Sequence, residues 1–245
     1  MAKILKDEED AQGHAIMDYY EGKGGYEIVE REDGYFDVSS GPALYFKKYE
    51  DWPKYEQEAI KHAKGITLDV GVGAGRVCLY LQEKKIKCLG IDISPLAIKT
   101  CQMRGVNETK LMPFENVTRL TYRFGTIVMF GNNFGLFRNK NNARKLLKEL
   151  YFLTTEDAVI LAESNDPYQT TVKEHLDYHA YNLSKGRMAG ELIIRVRYKK
   201  YITPWFAYLI VSRAEMRQIV EGTGWHVSHF IKEEESAYVA IIEKH

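Results

Sequence analysis

The sequence predicts an α/β fold: a doubly wound, mostly parallel sheet of seven strands, the last one antiparallel, preceded by an N-terminal aromatic lid. Two observations lead to this prediction. From residue 66 onward, short apolar runs alternate with amphipathic stretches, which is typical of a parallel sheet with helices on both faces. The first apolar run ends in a glycine-rich turn that opens directly into a helix. Apolar residues make up 45% of the 245-residue chain, enough for a large core.

Residues 1–55 are predicted to form the lid, a helical and hairpin segment. A short helix is expected over 14–21. The run EIVEREDGYFDV predicts two short strands around the turn Asp33-Gly34. A second helix follows Asp51-Trp52-Pro53, since proline is favoured at the start of a helix.

Residues 56–245 are predicted to form the core. The predicted strands are 66–70, 87–91, a segment near Lys110, 125–131, 158–163, 225–231 and 237–242. The predicted helices are 76–83, 95–103, 141–153 and 213–221. Ser212 and Glu215 form a capping box that fixes the start of the last helix.

An insertion at about 164–211 interrupts this core after the fifth strand. It is predicted to hold a helix over 171–183 and a β-hairpin made of ELIIRVRYKKY and WFAYLIV, joined near Thr203-Pro204. Open α/β sheets bind ligands at the carboxyl ends of their strands. We therefore expect the insertion to lie over that edge of the sheet.

Composition excludes several function classes. The 34 basic and 34 acidic residues balance, so nothing in the overall charge favours nucleic acid. The start MAKILKDEEDAQ has no apolar core of a secretory signal, and the longest apolar run, 205–211, is too short to span a membrane. The three cysteines have no metal-ligand spacing, which favours free thiols in a reducing cytoplasm and no metal site.

The strongest motif is LDVGVGAGR at 68–76. Gly71, Gly73 and Gly75 allow a sharp reversal and let a ligand approach the backbone. Asp92 ends the next apolar strand, where a carboxylate can accept hydrogen bonds from a ribose diol. Asp69 precedes the first glycine, where it would repel a pyrophosphate and attract an amino group. This argues against a nicotinamide dinucleotide.

These residues support a resemblance. DVGVGAGR followed by GIDISPLAI resembles motif I and its successor in class I, Rossmann-like S-adenosylmethionine-dependent methyltransferases. The stretches EREDGYFDV, LYLQ, FGNNFGLF, AESNDPY and TPWFAYLIVS are similar to a largely uncharacterised bacterial and archaeal group of small-molecule type. The resemblance implies S-adenosylmethionine as cofactor and S-adenosylhomocysteine as product.

The resemblance also implies cofactor contacts residue by residue. Asp69 and Gly71 would face the methionine moiety, and Gly73 and Gly75 the adenosine. Asp92 would hold the ribose, and Ile93 would pack on the adenine. The acid that relatives place after the third strand is missing, so the adenine amine would meet backbone atoms or Glu115. The segment concerned is Met112, Pro113 and Phe114.

Further cofactor contacts are predicted from position. Aromatic faces attract a sulfonium, so Tyr20, Tyr35 and Tyr45 of the lid are candidates; packing onto the core is the alternative. Asn132 follows the fourth strand, where it is expected either to orient a ligand or to form a turn.

Four residues are candidates for a general base, which is needed only if the acceptor starts protonated. His175 and His179 lie one helical turn apart, with solvated or structural histidines as the alternative. Glu163 and Asp166 end the fifth strand.

Three functions remain open from the sequence. The first is transfer of a methyl group to an O, N or C atom of a small-molecule acceptor by in-line displacement. The second is modification of a protein or RNA through a basic stripe formed by Arg195, Arg197, Lys199 and Lys200. The third is a non-catalytic cofactor-binding module. No membrane contact is expected, and the sequence predicts no oligomeric state.

Overall fold

The computed structural model describes residues 3–39, 41–232 and 236–245. The α-helices in these ranges are α1 (Ala11–Tyr20), α2 (Lys54–Ala59), α3 (Arg76–Glu83), α4 (Pro95–Met103), α5 (Lys140–Phe152), α6 (Lys173–Ser184) and α7 (Arg213–Val220). The strands are β1 (Ile28–Arg31), β2 (Phe36–Val38), β3 (Thr67–Val70), β4 (Cys88–Asp92), β5 (Glu108–Leu111), β6 (Phe124–Met129), β7 (Thr154–Asn165), β8 (Glu191–Tyr198), β9 (Tyr201–Ile202), β10 (Phe206–Leu209), β11 (Trp225–Lys232) and β12 (Ala237–Lys244).

The larger sheet has the strand order β11-β12-β7-β6-β3-β4-β5. The pairs β3–β4, β4–β5 and β6–β7 are parallel, whereas β12 runs antiparallel to both β7 and β11. This confirms the predicted seven-stranded, mostly parallel sheet with an antiparallel last strand. β6 is buried along its whole length, as expected for an apolar strand covered on both faces.

A smaller sheet has the order β10-β8-β1-β2, with β9 also beside β8. The predicted hairpin is present, because Ile28 of β1 pairs with Val38 of β2. The other edge of β1 pairs antiparallel with β8, so that Ile28 also faces Arg197. The sequence assigns the hairpin to the lid and β8 to the insertion, and it does not predict that the two pair. The inserted strand β8 supplies the hydrogen-bond partners of the second edge of β1.

Contacts among the described residues divide the chain into two compact units. The first contains 1–52, 65–119 and 194–205, and the second contains 53–64, 120–193 and 206–245. The described part of the lid lies in the first unit as far as residue 52, together with β3, β4 and β5. No helix among the described residues has the length and apolar character to cross a membrane.

Two helix N-termini of the first unit share one buried carboxylate. Asp10 caps α1 by accepting the N–H of Gly13 at 3.0 Å. It also accepts the Ser94 hydroxyl at 2.8 Å and the N–H of Leu96 at 3.2 Å. Ser94 in turn caps α4 through the N–H of Ala97 at 2.9 Å. One side chain therefore fixes the starts of both helices.

Replacing Asp10 by alanine is expected to lower the free energy of unfolding by about 2–4 kcal/mol, because three buried or half-buried donors lose their acceptor. Urea denaturation followed by circular dichroism measures the change. Asp10→Asn keeps an acceptor of the same size and is expected to lose less. A loss below about 0.5 kcal/mol for the alanine variant, the range of an ordinary surface substitution, would contradict this role.

Candidate functional site

The glycine loop of the first unit joins β3 to α3. Gly71, Gly73 and Gly75 all have left-handed backbone angles, with φ of 74°, 54° and 83°. The N–H groups of Gly71 and Val72 both donate to the carbonyl of Ile91 at 3.0 Å, which ties the loop to β4. Glycine adopts these angles without strain, so the residue type follows from the backbone path.

The second and third glycines make room for different neighbours. A Cβ on Gly75 would lie 2.6 Å from Cγ2 of Val106 and 3.2 Å from Sγ of Cys101. A Cβ on Gly73 would lie 3.3 Å from Cδ1 of Tyr45. Gly75 is therefore required by the packing of the protein on itself. The adenosine contact that the resemblance implies for it stays a prediction.

Asp92, at the end of β4, is bonded directly to the loop. Its Oδ2 accepts the N–H of Gly73 at 3.1 Å, and its Oδ1 accepts the N–H of Ser94 at 3.0 Å. Burial raises the pKa of this carboxyl to about 6, against the lowering effect of these two N–H groups. Each carboxylate oxygen has capacity for a second hydrogen bond. The group can thus accept a pair of hydroxyl donors.

Tyr45 covers the loop from the lid. It lies in the 3₁₀ helix Pro42–Phe46, and its carbonyl accepts a hydrogen bond from Nη1 of Arg104 at 3.5 Å. The same nitrogen donates to the carbonyl of Ala74 inside the loop. Burial raises the pKa of the Tyr45 phenol above its usual range, so the hydroxyl stays protonated.

The other two lid candidates have different contacts. The hydroxyl of Tyr20 is exposed and donates to the carbonyl of Met103 at 3.5 Å, at the end of α4. The guanidinium of Arg31 lies 4.8 Å from the ring centre of Tyr35 in the hairpin. Tyr45 is thus a lid tyrosine that packs on the glycine loop. Cofactor contacts of Tyr20 and Tyr35 stay predictions.

The remaining predicted cofactor residues of this unit lie at the carboxyl ends of β3, β4 and β5. Asp69 is buried, and the Cys78 thiol lies 3.7 Å from its Oδ2. Ile93 is half-buried, directly after β4. The N–H of Met112 donates to the carbonyl of Asp92 at 2.8 Å, which continues the pairing of β5 with β4. Met112, Pro113 and Phe114 are all buried.

Sequence reasoning missed three residues of this region. Ser94 and Asp10 each precede a helix, and this N-cap position was a usable signal. Arg104 follows α4 and gives no such signal, because its acceptors lie in the lid and in the loop.

In the second unit, Asn132 lies in the loop that follows β6, and Glu163 lies near the end of β7. The two are connected through Gly131, the residue before Asn132. Oε2 of Glu163 accepts the N–H of Gly131 at 2.6 Å, and its Oε1 accepts the hydroxyl of Tyr55 at 3.5 Å. The carbonyl of Asn132 accepts the hydroxyl of Tyr208 at 2.6 Å. Glu163 therefore holds the start of the loop that carries Asn132.

The other three base candidates lie around the segment between β7 and α6. Asp166 Oδ1 accepts the N–H of Tyr168 at 3.0 Å. His179 is buried, with its ring centre 6.0 Å from that of Tyr168. His175 is half-buried, with Nδ1 3.2 Å from the hydroxyl of Thr170. Among the described residues, no group of three or more His, Cys, Asp or Glu side chains is arranged to hold a metal ion.

Comparison with known proteins shows which class of protein the chain resembles. Residues 67–157 match the family model described as a methyltransferase domain. The B. subtilis (strain 168) protein YqeM is 19% identical over 125 residues, which are 49% of this chain and 50% of that protein. The chain thus spans about half the length of the curated relative it matches.

Solved structures extend the similarity to the whole chain. A methyltransferase from Bacteroides fragilis, in complex with S-adenosylhomocysteine, is 27% identical with a TM-score of 0.83, covering 99% of this chain and 98% of that one. A methyltransferase from Methanosarcina mazei shares the fold at 18% identity and a TM-score of 0.60, covering 79% of this chain and 98% of that one. The chain therefore has the fold of the class I S-adenosylmethionine-dependent methyltransferases and is similar to one of them over nearly its whole length.

Proposed function

We propose that this methyltransferase transfers the methyl group of S-adenosylmethionine to an O, N or C atom of a small-molecule acceptor by in-line displacement, leaving S-adenosylhomocysteine. The sulfonium supplies an already activated methyl group, so the protein has to bind, align and exclude water. The observation that carries the proposal is the Asp92 carboxylate bonded to the glycine loop at the carboxyl edge of β3 and β4.

The residues of the loop fit the cofactor. Gly71 and Gly73 carry no side chains of their own, so a ligand can approach their left-handed backbone closely. Asp92 retains acceptor capacity for both ribose hydroxyls after bonding Gly73 and Ser94. The similar B. fragilis structure contains the product S-adenosylhomocysteine, which supports this cofactor here.

The charges of the basic stripe support a small acceptor over RNA. Glu30 pairs with Arg195 at 2.8 Å and with Arg197 at 2.5 Å. Asp18 pairs with Lys199 at 2.5 Å. Phosphate binding needs basic side chains that are available to the ligand, and here two acids of the same unit already pair with three of the four.

A base is required only for an acceptor that starts protonated. Glu163 already accepts two hydrogen bonds, which favours a positioning role for it. His175, His179 and Asp166 stay candidates for the base. The Glu163→Gln and His179→Ala variants separate these roles, because a base shifts the pH profile of turnover and a positioning residue does not.

Isothermal titration calorimetry with S-adenosylhomocysteine tests the cofactor assignment, with an expected Kd on the order of 1 µM to 1 mM, the range of typical KM values. Methyl transfer from labelled S-adenosylmethionine to a panel of amines, phenols, carboxylic acids and RNA then tests the acceptor class. The proposal fails if no cofactor binds. Preferential labelling of RNA, with salt-dependent retention, would replace the small-molecule assignment by the second function.

A further inference from the structure

Glu27 is a buried carboxylate just before β1. The residue is 3% exposed. Its Oε2 accepts the hydroxyl of Ser39 at 2.7 Å. Its Oε1 is buried as well, and no donor within residues 3–39, 41–232 and 236–245 bonds to it. A buried carboxylate oxygen without a donor is unfavourable by about 1–3 kcal/mol or more, so the arrangement calls for a donor that these ranges do not supply.

The position of Glu27 connects it to the glycine loop. Ser39, which holds Glu27, also accepts the N–H of Gly41 at 3.1 Å. Gly41 begins the 3₁₀ helix that carries Tyr45, the residue packed on Gly73. The negative charge of Glu27 contributes to the raised pKa of the Tyr45 phenol, as does that of Asp92 more weakly. Glu27 and Asp92 therefore both act on the tyrosine that covers the loop.

We propose that Oε1 of Glu27 binds the α-ammonium of the cofactor, which makes Glu27 a cofactor-binding residue contributed by the N-terminal hairpin. This inference rests on the proposed function. The other donors of the cofactor already have expected partners: the ribose hydroxyls are expected to bind Asp92, and the adenine amine is expected to lie at the end of β5. The sulfonium has no N–H group to donate. The ammonium is the remaining donor of the cofactor, and its full positive charge matches a buried carboxylate. Its three N–H groups can serve Glu27 and Asp69 together.

The test is a thermodynamic cycle that compares the affinities of two protein variants for two ligands. Wild-type protein and Glu27→Gln are titrated calorimetrically with S-adenosylhomocysteine and with its deaminated analogue, which lacks only the ammonium. Wild type is expected to prefer the parent compound by about 10–100-fold, the value of one hydrogen bond between charged groups. Glu27→Gln is expected to reduce this preference to below about threefold. A ratio of affinities is insensitive to a general loss of folded protein.

Two further variants complete the cycle. Glu32→Gln removes an exposed carboxyl from the same hairpin and is expected to keep the wild-type preference. Glu27→Asp keeps the charge and withdraws it by one methylene, so an intermediate preference is expected even if the glutamine variant does not fold.

The outcomes separate the inference from the proposed function. If Glu27→Gln retains the full preference, or if wild type binds both compounds equally, Glu27 does not hold the ammonium and the inference is wrong. If wild type binds neither compound, the proposed cofactor function fails first.

Discussion

Replacing Gly75 by alanine is expected to lower the free energy of unfolding by about 2–5 kcal/mol. The backbone φ of 83° accounts for about 1–2 kcal/mol, since a Cβ in the left-handed region meets the following carbonyl. The new Cβ would also lie 2.6 Å from Cγ2 of Val106, and such overpacking costs about 1–3 kcal/mol. Urea denaturation monitored by circular dichroism gives the difference between variant and wild type.

Two control variants separate the backbone from the packing contribution. Gly105 has a φ of 86°, and nothing lies within 4 Å of its ideal Cβ, so Gly105→Ala measures the backbone contribution alone. Val106→Ala combined with Gly75→Ala relieves the close contact and is expected to be less unstable than the sum of the single variants. Equal losses for Gly75→Ala and Gly105→Ala would show that the neighbours of Gly75 yield at no cost.

The sequence was sufficient where a signal and its consequence lie close together in the chain. The predicted bounds of α3 and α4 agree with the structure at both ends. Gly75 is the last residue of the loop, has a left-handed conformation and lies directly before α3. Ser94 and Pro95 supply an N-cap and a first-turn proline directly before α4. Both signals act within one turn of the helix that they start.

The sequence was insufficient where partners are distant. The pairing of β1 with β8 joins residues more than 160 positions apart, and alternation along either strand does not specify the other. Tyr20, Tyr35 and Tyr45 are equivalent as aromatic residues of the lid, and their neighbours distinguish them. Arg104 ties Tyr45 to the loop, and nothing in its local sequence indicates this.

Affinity for S-adenosylhomocysteine is expected to fall about tenfold between pH 7 and pH 5, because hydroxyl donors bind an ionised Asp92 and its pKa of about 6 lies within this interval. The ligand-free protein should respond in the opposite direction. The folded state holds the proton more tightly than the unfolded chain, whose carboxyl has a pKa near 3.8. The contribution of Asp92 to stability is therefore complete below that value and is lost as pH rises through about 6.

Asp92→Asn is expected to weaken binding about 100-fold at pH 7.5, since two hydrogen bonds to a charged acceptor are impaired, and to abolish the tenfold pH step. Calorimetric titrations at half-unit intervals from pH 5 to 7.5 measure both effects. Asp37→Asn, on the exposed strand β2, changes the net charge equally and should leave affinity and pH profile unaltered. A step that persists in Asp92→Asn would belong to another group. Undiminished affinity in that variant would remove Asp92 from the cofactor site, and with it the observation on which the proposed function rests.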